Sequence, residues 1–421
     1  MSDRLAAARA VTLFVEAAQV AACTGPSRAS DGRDPAAARA GAGVAVAAGV
    51  VLEVAPDAEL RARYPGAAEV GCAGGLLTPG LVDSHTHAVF GRWRADEYAL
   101  RCQGVPYMEI ARRGGGILAS VRDLRARSED DLVELTLPRL REMLQAGTTT
   151  AEVKSGYGLA TEAELKMLRA VRRLNELQPV ELVPTFLGAH EVAPEFRGRA
   201  DDYVELLVDE MLPAVAEQGI ARFCDVFMEP GVFDRRQSER ILRAALEHGL
   251  RPKLHADELE GSGGAELAAE LGAVSADHLG AVSEAGIEAI ARAGTVATLL
   301  PATLFFLGKK SYAPARALLD AGATLALASD FNPGSSPTPN LVFAMTAACS
   351  QMGVTPAESL RAATAGGAAA LALGDGRGTL RAGAPADLAL WRVQSVRELP
   401  YRLATPLCAG VWKRGVRVGA G

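Results

Sequence analysis

From about residue 76 to 377, short apolar runs alternate with longer stretches of helical apolar spacing, and that alternation confines the segment to a parallel α/β sheet. The runs fall at 81–87, 148–154, 181–187, 222–228, 252–256, 273–277, 295–299 and 325–329. Between them, 130–146, 161–177, 201–218, 235–248, 263–271 and 283–293 read as helices, several of them stopped by a glycine at 147, 219, 249, 272 or 294. Eight strands interleaved with helices close into a (β/α)8 barrel, which needs roughly 250 residues. The segments 1–75 and 378–421 read differently, as short Val-rich strands with tight Gly and Ala turns, and the spacing predicts one small β-domain built from both ends.

In such a barrel, side chains at the carboxyl ends of the strands converge on one mouth, so polar residues that close each apolar run are the candidates for chemistry. The first run ends Asp83-Ser84-His85-Thr86-His87; alternation in an extended chain puts both imidazoles on one face. Later runs end in Lys154-Ser155-Gly156-Tyr157, Gly188-Ala189-His190, His255-Ala256-Asp257-Glu258, Asp277-His278 and Asp330-Phe331-Asn332-Pro333-Gly334-Ser335. Of the six histidines in the chain, five stand at strand ends, and only His248, before a helix-stopping glycine, reads as structural. His85, His87, His255 and Asp330 form a set suited to one zinc or iron ion. A metal with those ligands acidifies bound water to a pKa of about 7, giving a nucleophile for a carbonyl or amidine carbon. His278, Glu258 and Asp330 are then the groups to move protons. Arg94, with Arg92 as a competitor, offers two parallel hydrogen bonds to a substrate carboxylate, and Tyr157 a hydroxyl and ring.

Composition narrows the partners. Net charge is −6, without basic blocks, which argues against nucleic acid. No stretch of roughly 18 apolar residues suggests a membrane span. The amino terminus is broken by Arg9, Glu16 and Gln19, unlike a signal peptide. Six scattered cysteines without CxxC spacing fit a reducing cytoplasm.

The ordered motifs resemble the metal-dependent amidohydrolase superfamily, and within it the imidazolonepropionase family of histidine degradation. The finer likeness rests on Arg112-Arg113-Gly114-Gly115-Gly116-Ile117-Leu118, Glu152 to Leu159, Phe186 to Glu195, Lys253 to Glu258 and Asp330 to Pro337, and spans roughly 76–380. The resemblance implies a distorted barrel carrying a small β-sandwich, hydrolysis of 4-imidazolone-5-propanoate to N-formimidoyl-L-glutamate, and a homodimer. It implies one metal ion held by His85, His87, His255 and Asp330, with His278 near the water. Substrate contacts would come from Arg94, Tyr157, His190, Glu258 and Ser335, and contacts to the opened product from Tyr157, Asn332 and Gly334. Lys154 sits on the second strand and is not expected to be a carboxylated lysine bridging two metals. The alternatives are an aminohydrolase of a guanine-like or other heterocycle, and a catalytically silent scaffold of the same fold.

Overall fold

The computed structural model describes residues 11–29, 32–105, 109 and 114–420; the Arg112-Arg113 end of the glycine-rich motif lies outside them. Eight parallel strands follow one another in chain order around a barrel: Leu81–Asp83, Thr148–Lys154, Glu181–Ala189, Phe223–Met228, Arg251–Ala256, Ser275–His278, Val296–Leu299 and Leu325–Leu327. Each coincides with one expected run. The helices between them also fall where apolar spacing puts them, for example Glu129–Gln145, Thr161–Leu177 and Arg235–Glu247. The first of these starts on a capping box, with Ser128 and Asp131 each accepting the other's backbone N–H. All five glycines expected as helix stops have positive φ. The expected helix 201–218 is interrupted by a wider turn at Leu207–Met211, just ahead of Pro213, whose missing N–H breaks the regular ladder.

The first strand is shorter than the run 81–87 because its end closes the barrel. Asp83 turns its carboxylate onto the eighth strand, accepting from the Ser329 N–H at 3.0 Å and the Ser329 hydroxyl at 2.5 Å. Beyond it the backbone pairs on both sides: Asp330 N–H donates to His85 O at 3.0 Å, His87 N–H to Phe331 O at 2.9 Å, and Lys154 N–H to Thr86 O at 2.9 Å. The seam between first and eighth strands is therefore sewn at the mouth, where the histidines lie. Lower down it is filled by the helical turns Ala362–Gly366 and Gly367–Ala370. A Cβ on Gly366 would stand 2.1 Å from Leu325 O and one on Gly367 2.2 Å from Val82 O, so this close approach requires glycine. Ala368 and Leu371 then plug the barrel floor against Val82, Val183, Phe223 and Val274.

The two ends of the chain meet in a second body of two sheets. A four-stranded sheet uses amino-terminal strands alone, while a six-stranded sheet joins Gln19–Ala21, Ala38–Ala40 and Leu76–Pro79 to Leu388–Trp391, Cys408–Lys413 and Val416–Ala420. Leu76–Pro79, at the start of the segment read as barrel, thus belongs to this sheet, antiparallel to Leu388–Trp391. Strand alternation makes the sheet a partition. Leu77, Leu388, Leu390 and Trp412 face the sandwich core, where Phe14 meets Trp412 edge-on at 5.1 Å. Leu76, Ala389, Trp391 and Val411 face the barrel's outer helical layer. Among the described residues no helix is long and apolar enough to cross a membrane.

Candidate active site

His85, His87 and His255 each bring a ring nitrogen to within 4.8 Å of the others at the barrel mouth, fully or almost fully buried. Asp330 Oδ1 stands 3.6 Å from Nε2 of both His85 and His87, and its other oxygen is fixed by the Thr303 hydroxyl at 2.6 Å. Burial, followed by the charges of Lys154 and neighbouring histidines, holds His85 well below its ordinary pKa, and burial does the same for His87 and His255. The imidazoles are neutral, as metal ligands must be. His85 Nδ1 lies 2.6 Å from Asp277 Oδ2, whereas its Nε2 is buried without a hydrogen-bond partner among the described residues. An orphaned buried nitrogen facing two further imidazoles and a carboxylate fits a metal ion.

Below the histidines, the barrel interior is charged. Glu152, Lys154, Asp225, Lys253 and Asp277 are all fully buried and alternate along their strands so as to point inward. Lys154 Nζ reaches Asp225 at 2.6 Å and Glu152 at 3.0 Å; Lys253 Nζ reaches Glu152 at 2.7 Å and the Ser84 carbonyl at 3.1 Å. Asp225 also accepts the His255 backbone N–H at 3.1 Å and stands 2.9 Å from His255 Nδ1. Three carboxylates against two ammoniums leave the interior one negative charge, directed at His85 and His255. Sequence reading assigned no role to this layer or to Thr303. The available signal was the pair Glu152 and Lys154, two opposite charges with a period of two inside a fully buried strand.

Above the cluster opens a cavity of about 410 Å³. Arg94, Tyr157, His190, Glu258, His278, Asn332, Gly334 and Ser335 all line it, together with His87, His255 and Asp330. Arg92 does not; it lines only a neighbouring cleft, which Arg94 shares, so of the two arginines Arg94 alone reaches the cavity above the histidines. Arg94 is partly buried, with Nε 3.2 Å from Glu97, and its guanidinium lies where Gly334 would carry a Cβ. His190 directs Nδ1 at Gly156 O, 3.0 Å away, and burial lowers its pKa to about 4, so Nδ1 carries the proton and Nε2 is an acceptor. Asn332 spends its amide within the loop: Nδ2 donates to Asp330 O and Ser335 Oγ, while Oδ1 accepts from Gly334 and Ser335 N–H at 2.8 Å each.

Two carboxyls in the cavity are driven upward. Burial first, then the charges of Asp330 and Glu229, raise Glu258 to about 8; burial raises Asp330 to about 7 against the opposing hydrogen bonds from Thr303 and Asn332. His278, 3.6 Å from Glu258 through Nδ1, is lowered by burial to about 4. His278 and Asp330 also hold the left-handed backbone, φ +78° and +53°.

A parallel eight-stranded barrel that brings three neutral histidines and an aspartate to its carboxyl-end mouth defines a metal-dependent hydrolase of the amidohydrolase kind. The amidohydrolase family profile matches residues 109–418. An imidazolonepropionase of Myxococcus xanthus (strain DK1622) is 48% identical over 390 residues, 92% of each chain. Another, of Symbiobacterium thermophilum, is 46% identical over 407 residues, 96% of each. The chain belongs to the imidazolonepropionase family of amidohydrolases. Among solved structures, an adenosine deaminase from Xanthomonas campestris with bound zinc superposes with a TM-score of 0.68 at 21% identity, covering 96% of this chain and 92% of that one. A 5-methylcytosine deaminase from Klebsiella pneumoniae gives 0.70 at 15% identity over 97% and 98%. At that identity these two share the fold alone.

Proposed function

We propose that this chain hydrolyses the ring amide of 4-imidazolone-5-propanoate, yielding N-formimidoyl-L-glutamate. The observation that carries the reading is the placement of the Arg94 guanidinium in the same cavity as the His85, His87, His255 and Asp330 cluster. A metal site alone suits many cyclic amides, but an arginine on the wall selects one bearing an anion. A zinc or iron ion held by His85, His87, His255 and Asp330 would acidify a water to a pKa of about 7 and polarise a carbonyl oxygen.

Around that chemistry each side chain has a task. Arg94 holds the propanoate through its two Nη groups, since Nε is engaged by Glu97. His190 Nε2 accepts a ring N–H, and the Tyr157 and Ser335 hydroxyls donate to the substrate's oxygens. Asp330, with Oδ1 facing His85 and His87 and Oδ2 accepting from the Thr303 hydroxyl, is the carboxylate placed to take the proton of the attacking water. Glu258, its buried carboxyl pushed up to about 8, hydrogen-bonds the reacting ring, and His278 beside it supports the water. The amide C–N bond breaks, its carbon becomes a carboxylate, and its nitrogen leaves as part of the formimidoyl group, taking up the proton that Asp330 held.

The same reading places the enzyme in the cytoplasm, where its six free cysteines stay reduced, and as a homodimer, which light scattering would test. The reaction itself is tested by loss of imidazolone ring absorbance in the presence of the metal-loaded protein. Ammonia release from a guanine-like ring, with no imidazolone turnover, would select the aminohydrolase alternative instead.

A further inference from the structure

The same cavity wall carries a second guanidinium, Arg101, on the helix Ala95–Cys102 two turns beyond Arg94. The two arginines bracket one residue. The Arg94 guanidinium fills the space a Gly334 Cβ would take, 2.3 Å from that position, and Arg101 Nη2 donates to Gly334 O at 3.1 Å. Arg101 lies over the Phe306 ring at 5.0 Å and near Tyr98 at 5.7 Å, so its plane is fixed by packing. Among the described residues, Gly334 O is its one hydrogen-bond acceptor, and Glu97 is the one acceptor of Arg94. Burial first, then the charge of Arg94, depress the Arg101 pKa, with Glu97 opposing them.

Two partly buried guanidiniums with most N–H donors unspent, on one wall of a substrate cavity, call for an anion between them. The geometry points to Arg101 as a second substrate-contacting residue that, with Arg94, forms a two-arginine clamp selecting ring substrates whose side chain ends in a carboxylate. The inference rests on the proposed hydrolase reading and deepens it: Arg94 favours an anion, and a second cation on the same cavity strengthens that preference over a neutral hydrogen-bond acceptor. Gly334 is the spacer that lets them converge, because any side chain there would displace the Arg94 guanidinium.

The test compares 4-imidazolone-5-propanoate with its neutral propanamide analogue on metal-loaded wild type, Arg101→Met and Arg101→Lys. Arg101→Met is expected to raise KM for the acid by about 10-fold or more, the loss of a charge-assisted contact, with kcat within about twofold. It should change kcat/KM for the propanamide by less than about twofold. Arg101→Lys should recover part of the acid's KM. If Arg101 merely props the Gly334 loop, both substrates lose equally and the clamp is overturned; it is also overturned if the acid's KM does not move. Should Arg101→Met fail to fold, Arg101→Gln carries the same comparison. Wild type with no turnover of the acid would overturn the hydrolase reading itself, whereas wild-type turnover with an indifferent Arg101 overturns this inference alone.

Discussion

Asp277→Asn removes one charge from the layer beneath the metal ligands while keeping the side chain's size. Asp277 Oδ2 lies 2.6 Å from His85 Nδ1, and Oδ1 accepts from the Ser275 hydroxyl at 2.6 Å. The carboxylate fixes the His85 tautomer, so that Nε2 is the nitrogen left for the ion, and makes that nitrogen more basic. A hydrogen bond to a charged group in a buried setting is worth about 1.5–3 kcal/mol. Loss of such outer support to a ligating histidine weakens metal affinity about 10–100-fold, or ~1.4–2.7 kcal/mol, so the two magnitudes agree. The fold is spared, because two carboxylates would then face two ammoniums, Lys154 and Lys253, and the interior would become neutral. Metal-free protein titrated with zinc against a chromophoric chelator should show Kd raised about 10–100-fold, with an unchanged circular dichroism spectrum. Unaltered affinity would refute the assignment of Asp277 as the support of His85, and a chain that no longer folds would make the layer structural first.

Other outcomes follow from single contacts. Arg94→Ala should lower kcat/KM for the propanoate about 10–100-fold, mainly through KM, in steady-state assays; an unchanged KM would remove the arginine from substrate binding. Thr303→Val deletes the hydroxyl that fixes Asp330 Oδ2 and should lower kcat about tenfold with KM little changed; equal kcat would mean the carboxylate is held in place without it. Burial alone would raise Glu358, but hydrogen bonds from Arg316, Thr355 and the Ala29 N–H overcome it and hold its carboxyl at about 2, below the ordinary 4.5. Its folded pKa is depressed, so its stabilisation is complete above pH 4.5 and fades as pH falls toward 2. The gap in urea midpoint between wild type and Glu358→Gln should therefore narrow across that window; a constant gap would contradict the assignment.

What the sequence discloses depends on how local the cause is. His85 and His87 are legible because a period of two places both rings on one face, and the strand ends His190, His255, His278 and Asp330 are legible because a barrel sends all its carboxyl ends to one mouth. The support layer is not, because Asp225, Asp277, Lys154 and Lys253 meet only when distant strands close, and each alone reads as a polar interruption in an apolar run. Thr303 is hidden for the same reason: its partner Asp330 lies 27 residues on, across a strand. Leu76–Pro79 reads in sequence as a turn entering the first barrel strand, because its antiparallel partner, Leu388–Trp391, lies over 300 residues away. Arg92 and Arg94 could be told apart only by the helix that starts after Arg94 and turns its guanidinium toward Gly334.

The most direct test of the central claim is turnover of freshly generated 4-imidazolone-5-propanoate by the purified protein, before and after chelator treatment and again after zinc or iron is restored. Ring absorbance should be lost as N-formimidoyl-L-glutamate forms, with turnover abolished by metal removal and regained on reconstitution with one ion per chain. Turnover that survives complete metal removal, or a metal-loaded protein that leaves the imidazolone intact, would contradict that claim.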